Sequence, residues 1–150
     1  MQLLLYIILY PILWLISILP FRIFYIFSDF ICFLVYNIIG YRKKIVRENI
    51  SLALPHLSAK EQRVVEKKFY KHLCDLFLEM IKTISISKEE IERRYAFKNI
   101  EVYKELEKKN KSVALLCAHY ASYEWAISMN YHLNFIGYGI YKKLANPYFD

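Results

Sequence analysis

From Gln2 to Leu19 the chain reads QLLLYIILYPILWLISIL, without a charge and with only Gln2 and Ser17 as strongly polar side chains. At about 1.5 Å of rise per residue, a helix of this length just reaches across a hydrocarbon core of about 30 Å. Backbone polar groups find no water in lipid, so such a run must be helical if it enters the bilayer. A membrane span over about residues 2–19 is therefore expected, with Pro11 bending it tolerably. A cleaved signal peptide would carry a cationic start and a small-x-small cleavage site, and the run has neither.

A second apolar stretch, residues 23–40, is broken by Asp29 and Asn37 and preceded by Arg22. A second crossing would bring a carboxylate near the bilayer centre, at a cost of several kcal/mol. A helix packed on the first or lying in the interface is expected instead. Arg42, Lys43, Lys44 and Arg47 follow at once, where cytoplasmic flanks of membrane segments carry cations. Residues 1–40 thus read as a membrane anchor, and residues 41–150 as the start of a body facing the cytoplasm.

Charge separates these parts further. Residues 1–40 hold one cation, Arg22, and one anion, Asp29, so the net charge of +7 lies wholly after Gly40. A basic body is drawn to anionic lipid, acidic proteins or nucleic acid. Nucleic acid is disfavoured, because no helix-turn-helix, zinc-finger or aromatic RNA-binding signature accompanies the cations. Cys32, Cys74 and Cys117 are too widely spaced for a Cys-x-x-Cys site, which suits a reducing compartment.

Ser58 with Glu61 forms a capping-box pattern that opens an amphipathic helix to about Thr83. Val65, Phe69, Leu73, Leu76, Phe77 and Met80 recur at helical spacing, which predicts their burial as one stripe. Ser87 with Glu90 repeats the capping pattern for a short helix through about Arg94. Beyond it the pattern alternates: a strand over 95–98, a helix over 100–108, a strand over 113–118, a helix over 121–131 and a strand over 135–141. That order predicts an α/β fold, with N-terminal helices followed by the start of a mainly parallel βαβ sheet.

The segment Ala118-His119-Tyr120-Ala121-Ser122-Tyr123-Glu124-Trp125 falls where the second strand would give way to a helix. Ligands in open α/β sheets gather at such carboxyl ends of strands. Residues five apart on one helix differ by roughly 140° in direction, so His119 and Glu124 can meet only if His119 precedes the helix. An imidazole in that place can take a proton at one nitrogen while the carboxylate holds the other N–H. The plain alternative has His119 capping the helix and Glu124 complementing its dipole.

CAHYASYEW resembles the His-x-x-x-x-Asp/Glu block of the lysophospholipid and glycerolipid acyltransferase superfamily. It is most similar to the Gly-His-Phe-Gly-Asn-Trp-Glu form of the bacterial lipid A biosynthesis (lauroyl/myristoyl) acyltransferases. YRKKIVRENISLALPHLSAKE and GIYKKLANPYFD resemble that family's juxtamembrane and Asn-Pro blocks in order and spacing. Ala118 and Ala121 stand where the family usually has Gly, Ser122 where it often has Asn, and Tyr123 where it usually has Trp. The added methyl groups lie near the turn. Lys142 replaces an Arg thought to act on substrate, keeping the charge and losing the bidentate fork. The family continues beyond the Asn-Pro block where this chain stops, so the chain reads as the amino-terminal part of a longer domain.

The resemblance implies an acyltransferase in the inner membrane. His119 and Glu124 would be catalytic, and Lys142 and Asn146 would bind substrate. The donor would be an acyl thioester on acyl carrier protein, a co-substrate, so no cofactor and no metal are implied. The acceptor would be a hydroxyl on a lipid A precursor with an anionic headgroup. A related acyltransferase for another glycerolipid or aminolipid, and a non-catalytic membrane interaction protein or inactive fragment, are the rival readings. His56, His72 and His132 read as a loop residue, a residue on the long helix and a helix-end residue. Asp75 and Glu79 read as a solvated edge.

Overall fold

A computed structural model describes residues 1–118 and 120–150 of the chain. The described residues form helices: α1 over Gln2–Ser17, α2 over Phe21–Phe33 continued by a π-helical turn over Leu34–Ile39, α3 over Lys43–Ala53, α4 over Ala59–Lys82, α5 over Lys88–Arg94, α6 over Ile100–Lys108, and a 3-10 helix over Tyr123–Tyr131. They fall into two compact units, one of Met1–Ile18 with Ile81–Asp150, the other of Leu19–Met80.

Among the described residues there is no strand, which overturns the expected α/β fold with its parallel sheet. A short apolar run becomes a strand only when a neighbour completes its hydrogen-bond ladder. Segments 113–118 and 135–141 have no such neighbour. Their side chains lie open to solvent, with Leu116 96% and Ile140 103% exposed. Segment 95–98 is a short connection in which the Tyr95 and Phe97 rings meet edge to face at 5.2 Å.

Helix boundaries follow the caps. At α4, Ser58 N donates to Glu61 Oε2 at 2.8 Å, and Glu61 N donates to Ser58 Oγ at 3.4 Å, the reciprocal pair of a capping box. At α5, Glu90 N donates to Ser87 Oγ at 3.2 Å. Gly40 closes the π-helical turn with φ of 66°, a conformation that a Cβ would strain, and its N–H returns to the carbonyl of Val35.

In the unit Leu19–Met80, α2 is joined to α4 along one polar seam. Tyr25 Oη donates to Glu79 Oε1 at 2.7 Å, Ser28 Oγ donates to Asp75 Oδ1, and Lys71 Nζ lies 2.8 Å from Asp29 Oδ1. The Tyr36 and Tyr70 rings lie 5.1 Å apart, and Tyr70 Oη donates to the Tyr41 carbonyl. Asp75 and Glu79 therefore form part of an inter-helix seam and are not a solvated edge. On the α3 side, Arg47 Nε donates to both oxygens of Glu66, at 3.1 and 3.0 Å. Near this pair a cleft of about 150 Å³ opens, lined by Arg47, Ile50, Ala59, Gln62, Arg63 and Glu66.

The buried stripe of α4 is not the one its apolar residues suggest. Glu66, Tyr70, Cys74, Leu78 and Lys82 are the buried positions, four apart, while Phe69 and Phe77 are exposed. Charges at both ends disguise this face in the sequence. Each is compensated: Glu66 by Arg47, and Lys82 by the Ser17 carbonyl to which its Nζ donates. Burial of Cys74, with Cys32 beside it, pushes its thiol up to about 11.

Length also distinguishes the two apolar segments. α1, expected as the span, ends at Ser17, and among the described residues Phe21–Ile39 is long and apolar enough by length and composition to cross a membrane. In its own unit, α1 is held at both ends. Lys82 meets Ser17. At the other end, Asn146 Nδ2 donates to the Gln2 carbonyl at 3.2 Å, and the Tyr6 ring lies 5.1 Å from Phe149.

Candidate active site

The 3-10 helix that carries Glu124 is fixed by packing. Trp125 and Ser128 of the helix and Ile91 of α5 are buried, and the helix packs on α5. Ser128 Oγ donates to the Trp125 carbonyl at 2.7 Å, which satisfies a hydroxyl that has no access to water. His132 caps the far end, with its ring 5.7 Å from Phe97 and its Nε2 4.0 Å from Glu92 Oε1.

Upstream of the helix the backbone is held by short-range hydrogen bonds. Tyr120 N donates to the Ala118 carbonyl at 2.8 Å, and Tyr123 N donates to the Ala121 carbonyl at 2.9 Å. Ala121 has φ of 52°, in the left-handed region. The helix begins at Tyr123, two residues later than the expected start at Ala121. Glu124 accordingly stands in its first turn. His119, the expected base, lies outside the described residues.

Glu124 is the distinctive side chain. Both oxygens of its carboxylate are closed off from solvent, and neither has a hydrogen-bond partner among the described residues. A buried carboxylate left so is costly, and native folds leave few such groups without a reason. Tyr123 is its neighbour: burial raises the phenol above its ordinary range, and the nearby Glu124 carboxylate raises it further. That keeps the phenol protonated. Nothing in the sequence singled out Tyr123 except its place where the family usually has Trp.

Lys142 is exposed. Asn146 is committed to local structure, since its Nδ2 donates to the Gln2 carbonyl and its Oδ1 accepts from Tyr148 N at 3.1 Å. Among the described residues no hydrogen bond or ion pair joins either of them to Glu124. Cys117 is exposed and Cys32 and Cys74 are unbridged. No group of three or more His, Cys, Asp or Glu among the described residues is arranged to hold a metal ion.

The chain is an acyltransferase, by the family to which its sequence belongs. The sequence model of the bacterial lipid A biosynthesis acyltransferases matches residues 2–150, and the chain belongs to that family. No curated protein and no solved structure registers as a match to it.

Proposed function

We propose that the chain carries the catalytic base of an acyl transfer from an acyl carrier protein thioester to a hydroxyl of a lipid A precursor. An aliphatic hydroxyl is a weak nucleophile at neutral pH, so a positioned base must take its proton as it attacks. His119 is that base. Its imidazole removes the proton as the hydroxyl oxygen bonds to the thioester carbonyl carbon, and the carbonyl becomes an oxyanion. Collapse of the oxyanion breaks the C–S bond, and the imidazolium returns the proton to the departing thiolate.

Glu124 holds the second imidazole N–H and stabilises the imidazolium. The shielding of both its carboxylate oxygens from solvent supports this role and carries the proposal. A carboxylate acting only on the helix dipole would work as well facing water. Backbone N–H groups at the start of the Tyr123–Tyr131 helix are suited to receive the oxyanion. Lys142 contributes charge toward the substrate, and Asn146 shapes the loop beside it. The basic body suits an acidic carrier protein and a phosphorylated acceptor, at the cytoplasmic face of the inner membrane.

The test is acyl transfer to a lipid A precursor by membranes carrying the full-length gene product, wild type against His119→Ala. The proposal expects transfer from the carrier-protein thioester and its loss in the variant. Transfer to glycerophospholipid alone would reassign the acceptor, and equal rates would remove His119 from the reaction.

A further inference from the structure

Cys32 and Cys74, far apart in sequence, meet across the seam between α2 and α4. The register of that seam brings them together. Ser28 Oγ donates to Asp75 Oδ1, and the Tyr36 and Tyr70 rings lie 5.1 Å apart. Cys32 stands about one turn beyond Ser28 and one turn before Tyr36, so it faces the same side. On α4, Cys74 stands one turn beyond Tyr70 and next to Asp75, within the buried stripe. The two side chains accordingly touch, and a hydrogen bond joins the thiols. Neither is bridged, and the acyl transfer proposed above calls on neither.

Access gives the two thiols different chemistry. Cys32 is half-buried, whereas Cys74 is only 5% exposed, and burial holds it as the protonated thiol. An oxidant arriving from solvent therefore meets Cys32 first. A cysteine oxidised to the sulfenic acid beside a second thiol condenses with it to a disulfide, which spares it from irreversible oxidation.

We propose that Cys32 and Cys74 are a peroxide-sensitive pair that closes to a disulfide and ties α2 to α4. Hydrogen peroxide is the oxidant. The Cys32 sulfur attacks one peroxide oxygen, the O–O bond breaks, and Cys32 sulfenic acid and one water are formed. The Cys74 sulfur then attacks the Cys32 sulfur, the S–O bond breaks, and the hydroxide leaves with the Cys74 proton as a second water. The pair loses two electrons and the peroxide gains them. A thiol reductant reopens the bond by exchange. The proposal stands whether or not His119 is the base, since it concerns only the unit Leu19–Met80.

Thiol mapping tests it. Full-length protein in detergent is treated with hydrogen peroxide, its remaining thiols are alkylated under denaturing conditions, and the unreduced digest is read by mass spectrometry. The peptides carrying Cys32 and Cys74 should appear joined within one copy of the chain and separate after dithiothreitol. Cys117→Ser should leave the joined peptides in place. The thermal midpoint should rise by roughly 5–10 °C on oxidation, because the bond restricts the unfolded chain, and dithiothreitol should remove the rise. Cys32→Ala, which takes away the accessible member, should abolish both the joined peptides and the rise. Separate alkylation of Cys32 and Cys74 after peroxide, Cys32 sulfinic acid beside a free Cys74, joining only between two copies, or an unchanged midpoint would each overturn the proposal.

Discussion

Ala121 holds a backbone that L-residues avoid, with φ of 52°, where the family's motif usually has glycine. The left-handed conformation costs a residue with a Cβ roughly 1–2 kcal/mol, and glycine's extra freedom in the unfolded chain offsets roughly 0.5–1 of that. Ala121→Gly should therefore raise thermal stability slightly, by about 0.5–1 kcal/mol by this difference. Thermal unfolding of the full-length protein in detergent measures it, and a clear loss of stability would show that the methyl group is needed. Lys142→Arg should retain activity, while Lys142→Ala should raise the apparent KM or lower kcat/KM, because charge is what the position keeps. An unchanged alanine variant would take Lys142 out of the site. Of the candidate site, Glu124 was legible from its spacing to His119. The shielding of its oxygens was not, since it arises only in the folded chain. Asn146 was legible as a motif residue, but its bonds to Gln2 and Tyr148 depend on contacts that sequence spacing does not encode.

Capping decides where α4 and α5 begin, and those starts were legible because Ser58 with Glu61 and Ser87 with Glu90 act over three residues. Ser58→Ala should cost about 1 kcal/mol of stability. The Ser58 side chain and backbone hold the Glu61 carboxyl below its ordinary range. Arg93 and Arg94 do the same for Glu90. A carboxylate whose folded pKa is depressed stabilises the fold above its unfolded value, and that contribution is lost as pH falls through the lowered one. Acidification should thus weaken both helix starts, and Glu61→Gln should flatten the acid limb of stability against pH. A limb identical to wild type would contradict the assignment. Arg47→Met, which strands the buried Glu66, should destabilise more than Arg47→Met with Glu66→Leu, as thermal midpoints would show. The strands at 113–118 and 135–141 were misread for a different reason. Periodicity reports which side chains could face a core, whereas a strand exists only through a partner's backbone. The α4 stripe was misread because Glu66 and Lys82, both buried, look like surface residues until Arg47 and Ser17 are placed beside them.

At the scale of the molecule, a neutral apolar head and a body carrying the whole charge of +7 assign different tasks to two stretches of chain. In the proposed reading the head lies at lipid and the body meets anionic substrates. Attachment through apolar faces is insensitive to screening, so the protein should stay with membranes through high salt and leave only with detergent. Release by salt alone would show electrostatic attachment. The proposed reaction centres on His119 and Glu124 acting as one unit. The most direct measurement is kcat/KM for acyl transfer by full-length wild type, His119→Ala, Glu124→Gln and the double variant, with folding and membrane binding checked for each. Positioned general-base catalysis contributes about 10²–10⁴ in rate, so His119→Ala should lose at least that much, Glu124→Gln should be severely impaired, and the double variant should be scarcely worse than His119→Ala. Near-normal transfer by a folded His119→Ala enzyme, or losses that simply multiply in the double variant, would contradict it.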